Sequence, residues 1–110
     1  MAQEKLLLID DDPYHLQLLQ QVFQRDAYSV SIARSAAEAI LRLNQDVPDL
    51  IILDLILPDM DGYTLLETIK ATPEWRFIPV IIVSSKQNLE DKLRGLRLGV
   101  MDYLTKPFER

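Results

Sequence analysis

LLLIDDDP, residues 6–13, sets four consecutive aliphatic side chains directly before three carboxylates and a proline. A continuous apolar run this short, bounded by turn residues, reads as a strand buried on both faces. Pro13 cannot serve inside a sheet ladder, but it suits the first position of a helix, with Asp12 as the cap before it. The next apolar residues, Leu16, Leu19, Val22 and Phe23, follow at helical spacing. A buried strand, an acidic turn and an amphipathic helix in that order open a parallel α/β unit.

The unit then recurs along the chain. Val30 to Ala33 reads as a second strand, with Ala36, Ile40 and Leu43 behind it at i, i+4 and i+7. Leu50 to Leu53 is a third strand, followed by the helical residues Leu65, Leu66 and Ile69. Val80 to Val83 is a fourth, with Leu89, Leu93 and Leu96 as the apolar stripe of its helix, and Asp102 to Thr105 is a shorter fifth. Ser35 and Glu38 have the spacing of a capping box. Asp61 and Asn88 are placed to cap the third and fourth helices, Thr72-Pro73 stops the third, and Gly99 suits a left-handed turn after the fourth. The alternation predicts a five-stranded parallel sheet covered on both faces, doubly wound when its crossovers are right-handed and its strand order is 2-1-3-4-5. Such a sheet ordinarily ends on a fifth helix, and no residues remain for one after the fifth strand. The expectation is a single domain over residues 1–110 that lacks its final helix, a natural chain continuing past Arg110, and strands four and five uncovered on one face.

Composition narrows the function classes. At 110 residues and 48% apolar, the chain can build one core but not two. Twelve basic against 17 acidic side chains, a net charge of −5, argues against nucleic-acid binding by this segment. No cysteine and one histidine rule out disulfides, thiolate zinc, a cysteine nucleophile and a histidine metal cluster. Apolar runs of four or five residues cannot span a bilayer, and the N-terminus carries no signal-peptide core. A cytoplasmic protein is expected.

In an open α/β sheet, ligands bind beyond the carboxyl ends of the strands, where the strand order reverses. Here that point lies between strands one and three. Asp10 and Asp11 leave strand one, Asp54 leaves strand three, Ser84 leaves strand four and Lys106 leaves strand five. Two carboxylates about 5 Å apart repel by roughly 3 kcal/mol at an effective dielectric near 20, so three together call for a cation. Oxygen ligands without His or Cys select a hard ion, best Mg²⁺. A carboxylate held beside Mg²⁺ and a lysine is a competent nucleophile toward phosphorus, and the ion, the lysine and the hydroxyl would share the transition-state charge. The product would be an aspartyl phosphate.

Taken singly, each residue has a plainer reading: Asp12 is a cap, a strand-end Asp or Ser satisfies nearby backbone, and Lys106 is a solvated lysine. Asp59 and Asp61 sit in the turn Pro-Asp-Met-Asp-Gly and read as structural. His15, early in the first helix, reads as exposed. The joint order of acid pair, acid, hydroxyl and lysine, each after an apolar strand, outweighs these readings.

From about Lys5 to Phe108 the chain resembles the receiver domain of two-component response regulators. LLLIDDDP (6–13), DLIILDLILPDMDGYTLL (49–66), IPVIIVSS (78–85) and DYLTKPF (102–108) carry that resemblance. It implies a flavodoxin-like fold and a set of roles. Asp54 would be the phosphoacceptor, Asp11 a direct Mg²⁺ ligand, Asp10 a ligand mainly through water, and the Ile56 carbonyl a further ligand. Ser84 would be the switch hydroxyl, Lys106 the phosphate-contacting lysine before Pro107, and Tyr103 the aromatic switch residue. Implied partners are a histidine kinase or histidine phosphotransfer protein, and an output domain, a partner protein or a second copy at helix four and strand five. Helix four mixes Lys92, Arg94 and Arg97 with Glu90 and Asp91, which suits a partner or plain solubility alike.

Two departures bear on rate. Ile56 offers no hydrogen bond to orient an attacking water, and Lys86 can compete for the phosphate, so a long-lived phosphoryl group is expected. Val100 and Met101 stand where the family often has a small and a polar residue. The rival reading is an interaction module that keeps the fold but is never phosphorylated, and the intact acids, hydroxyl and lysine speak against it. An aspartate-nucleophile phosphatase would need an acid at Ile56, and a flavodoxin would need a phosphate loop after strand one.

Overall fold

The computed structural model describes residues 3–84 and 89–105. Lys86, Asn88, Lys106 and Pro107, singled out above, lie outside them. Five strands alternate with four helices among the described residues: β1 (Lys5–Ile9), α1 (Pro13–Arg25), β2 (Ser29–Ala33), α2 (Ala36–Gln45), β3 (Leu50–Leu53), α3 (Gly62–Ala71), β4 (Val80–Ser84), α4 (Leu89–Arg97) and β5 (Asp102–Thr105). The sheet order is β2-β1-β3-β4-β5 and every pairing is parallel, as expected. This is the flavodoxin-like, doubly wound architecture.

The period-two alternation of strand side chains sorts the apolar residues into two cores. Leu7, Ile9, Ile51, Leu53, Val80 and Ile82 face α2 and α3, packing on Ala36, Ala39, Leu43, Tyr63, Leu66 and Ile69. Leu6, Leu8, Ile52 and Val83 face the other way, against Leu16 and Leu19 of α1. The central strands thus bury both faces, which is why they read as unbroken apolar runs in the sequence.

Local signals set the helix ends. Asp12 caps α1 by accepting the Tyr14 N–H at 3.0 Å, and Asp61 caps α3 by accepting the Tyr63 N–H at 3.1 Å. Ser35 Oγ accepts the Glu38 N–H at 3.1 Å. Two neighbouring donors at the same helix end, Ala36 and Ala37 N–H, go instead to the carboxylate of Asp59, at 2.8 and 2.9 Å. Gly99 follows α4 with φ at 87°, the left-handed turn expected of it.

One expectation about the fold needs correction. Leu93 and Leu96 of the stripe assigned to α4 do not face the core, being 39% and 54% exposed, while Gly95 is buried. A Cβ on Gly95 would lie 3.1 Å from the Ile82 side chain and 3.3 Å from the Tyr103 ring, a tight fit that those side chains would have to yield to by a few tenths of an ångström. The face left without a fifth helix among the described residues is exposed in part, as expected. Val83 joins the α1 cluster and is 3% exposed, whereas Leu104 of β5 is 38% exposed.

Candidate functional site

Register builds the site. Ile9 pairs with Leu53, so the first residues beyond those strands, Asp10 and Asp54, leave the sheet side by side. The ladder continues through the Asp54 N–H, which donates to the Ile9 carbonyl at 2.8 Å, and the Asp10 N–H, which donates to Ala33 at 3.0 Å. Both acids therefore start from rigid backbone. Asp10 is 4% and Asp54 7% exposed, while Asp11 is open to solvent. Oxygens of Asp10, Asp11 and Asp54 lie within 4.8 Å of one another. At that spacing each ionised pair repels by roughly 3 kcal/mol at an effective dielectric near 20, and a bound cation relieves it. The donor set is carboxylate oxygen, which fits a hard divalent ion such as Mg²⁺ and offers nothing to a soft one.

The loop after Asp54 is tightly organised. The Ile56 N–H donates to Asp54 Oδ1 at 3.2 Å, and an isolated antiparallel bridge pairs Ile56 with Asp61. The Gly62 N–H closes the loop onto the Leu55 carbonyl at 2.8 Å. Asp59 ties the loop's far side to the start of α2, and the two backbone N–H groups it accepts hold its carboxyl below the ordinary aspartate value. Asp59 is therefore a brace between segments 23 residues apart, not merely a turn residue.

Ser84 ends β4 and is fully buried. Tyr103, on β5 beside Ile82, is 9% exposed and its ring lies inward beneath Gly95. Of the residues singled out in the sequence, Asp10, Asp11 and Asp54 are brought into one cluster, and Ser84 and Tyr103 lie on the adjoining strands.

His15 departs from its expected place. Its side chain is 13% exposed, and Nδ1 lies 2.5 Å from Asp10 Oδ2. Asp10 Oδ1 meanwhile accepts the Asp12 N–H at 3.0 Å. The sequence gives the position of this residue but not its partner. Pro13 fixes where α1 begins, so residue 15 falls in the first turn, beside the strand end that α1 has just left.

The response regulator receiver domain family matches residues 6–110, and the chain belongs to that family. It is 34% identical over 105 residues to the response regulator PleD of Caulobacter vibrioides, a stretch covering 96% of this chain but 23% of that protein. The fold superimposes on the non-phosphorylated receiver domain of HemR from Leptospira biflexa with a TM-score of 0.90, at 30% identity, covering 97% of this chain and 85% of that one. The Mn²⁺-bound form of response regulator Rcp1 gives a TM-score of 0.89 at 31% identity, covering 96% and 83% of the two chains. None of the four helices is long and apolar enough among the described residues to cross a membrane.

Proposed function

We propose that this chain is a phosphoacceptor switch in a two-component phosphorelay, working in the cytoplasm. The observation that carries the reading is the convergence of Asp10, Asp11 and Asp54 at the carboxyl edge of a receiver-family sheet. Asp11, Asp54 and the Ile56 carbonyl would hold Mg²⁺ directly, with Asp10 acting through water. The ion, when bound, supplies positive charge to the transferring phosphoryl oxygens. Asp54 attacks phosphorus in line, so that its carboxylate forms an O–P bond as the N–P bond of a donor phosphohistidine breaks. The Ile56 N–H orients the attacking carboxylate through Oδ1. Lys106 and Ser84 would take the phosphoryl oxygens.

The phosphoryl group adds about −1.5 to −2 charge to this rim. The Ser84 hydroxyl moves toward it, Tyr103 repacks, and the α4/β5 surface changes for an output domain, a partner protein or a second copy of the chain. The phosphate shifts that equilibrium only through contacts it makes better in one state. In this reading the chain catalyses its own phosphorylation and dephosphorylation and no other reaction.

Incubating the chain with Mg²⁺ and acetyl phosphate, then recording its intact mass, tests the proposal. The expected result is a phosphate-sized gain that disappears in Asp54→Asn. No gain in a folded sample would favour the interaction module that works without phosphorylation.

A further inference from the structure

We propose that His15 is a positioning residue of the divalent-ion site, holding the Asp10 carboxylate where it acts on the ion through water. The inference rests on the reading of Asp10, Asp11 and Asp54 as that site.

Asp10 is the most deeply placed of the three acids, and each of its oxygens is engaged by the protein. Oδ1 accepts the Asp12 N–H at 3.0 Å and Oδ2 faces His15 Nδ1 at 2.5 Å. An ionised carboxylate can only accept, so the ring nitrogen is the donor. A carboxylate gripped at both ends cannot rotate to chelate a metal through two oxygens. A carboxylate oxygen can accept more than one hydrogen bond, so Asp10 can also accept from ion-bound water, with the direct positions falling to Asp11, Asp54 and the Ile56 carbonyl. A small ion that demands near-octahedral geometry and keeps several waters makes such an outer acceptor consequential.

The donor is itself held in place. His15 stands in the first turn of α1, whose start is set by Pro13 and by the Asp12 cap. Asp12 serves both ends of this arrangement, since its N–H grips Asp10 while its carboxylate caps the helix that carries His15. The backbone thus presents the imidazole to Asp10 from a helix, and not from a loop.

The test measures Mn²⁺ affinity by electron paramagnetic resonance on the full chain, without a phosphoryl donor. His15→Leu, His15→Ala and His15→Asn are compared with the parent, and thermal midpoints are recorded for each. Asp10 is itself an outer partner of the ion, a kind of group whose loss commonly costs 10–100-fold in affinity, so Leu and Ala variants that release it should bind Mn²⁺ about 10-fold more weakly. Asn carries an amide N–H near the position of Nδ1 and should recover most of that loss, whatever its effect on the thermal midpoint. Equal affinity in all four proteins overturns the proposal, and so does an equal loss in all three variants, which would make His15 a matter of packing alone. A parent chain that binds no Mn²⁺ overturns instead the reading of the acid cluster on which the proposal rests.

Discussion

Replacing Gly62 with alanine adds one methyl group at the point where α3 meets the loop that follows Asp54. A Cβ there would lie 2.5 Å from the Leu55 Cα and 2.9 Å from the carbonyl oxygens of both Asp54 and Leu55. Carbon atoms rest comfortably at about 3.5–4.0 Å, so the new methyl overlaps the Leu55 backbone by roughly 1 Å. The obstructing atoms are main chain, which cannot turn aside as a flexible side chain would. Alanine's better helix propensity returns at most about 1 kcal/mol, and less at the first helical position. Overpacking ordinarily costs about 1–3 kcal/mol, and rigid neighbours put this case at the upper end. A net loss of about 2 kcal/mol follows, which for a domain near this size lowers the melting temperature by roughly 8–16 °C. Urea unfolding followed by the fluorescence of Trp75, which is 8% exposed, reads the change directly. Labelling of Asp54 by acetyl phosphate should slow as well, because relief of the clash displaces the backbone on which Asp54 stands. A variant as stable as the parent would refute the steric argument.

Three other perturbations probe separate parts of the molecule. Asp59→Ala should destabilise the fold at neutral pH and progressively less in acid. A carboxyl held below its ordinary value near 3.8 stabilises the folded state above that pH, and the contribution fades as pH falls through the folded value. Melting curves at pH 7 and pH 3 that keep the same gap from the parent would contradict it. Ile56→Asn combined with Lys86→Glu should release phosphate from Asp54 several-fold faster than the parent, because an amide and a carboxylate can orient water where an exposed isoleucine cannot, and unchanged decay of the labelled mass would count against the idea. Arg94 stacks 4.3 Å above the Tyr63 ring and reaches Glu67 at 3.3 Å, with both charged groups about half exposed. Arg94→Ala should therefore cost about 1 kcal/mol, mostly from the lost stacking on a buried ring, and Glu67→Ala clearly less; equal losses in urea titrations would reverse that assignment.

What could be seen in advance follows from the range of the forces involved. Strand buried on both faces, helix cap and left-handed turn are local events, so LLLI before DDDP, Asp61 before α3 and Gly99 after α4 announced themselves by spacing alone. The order of strands, and with it the meeting of Asp10, Asp11 and Asp54, came from the resemblance to receiver domains, since right-handed crossovers alone allow more than one order. The errors fell where local pattern and packing diverge. Leu93 and Leu96 have helical spacing, yet the side of α4 that touches the sheet is the one bearing Gly95, where Ile82 and Tyr103 leave little space.

Two contacts came into view only with the chain folded. Asp59 looked like a turn residue because its partners, Ala36 and Ala37, belong to a helix more than 20 residues earlier. His15 looked exposed because helical periodicity says which face a residue occupies, but not what the neighbouring strand end places against it. The order of residues along the chain determined the elements and the rim of acids. The close approach of separate elements decided which side chains hold that rim in position, because hydrogen bonds and packing act over a few ångströms in space and take no account of separation in sequence.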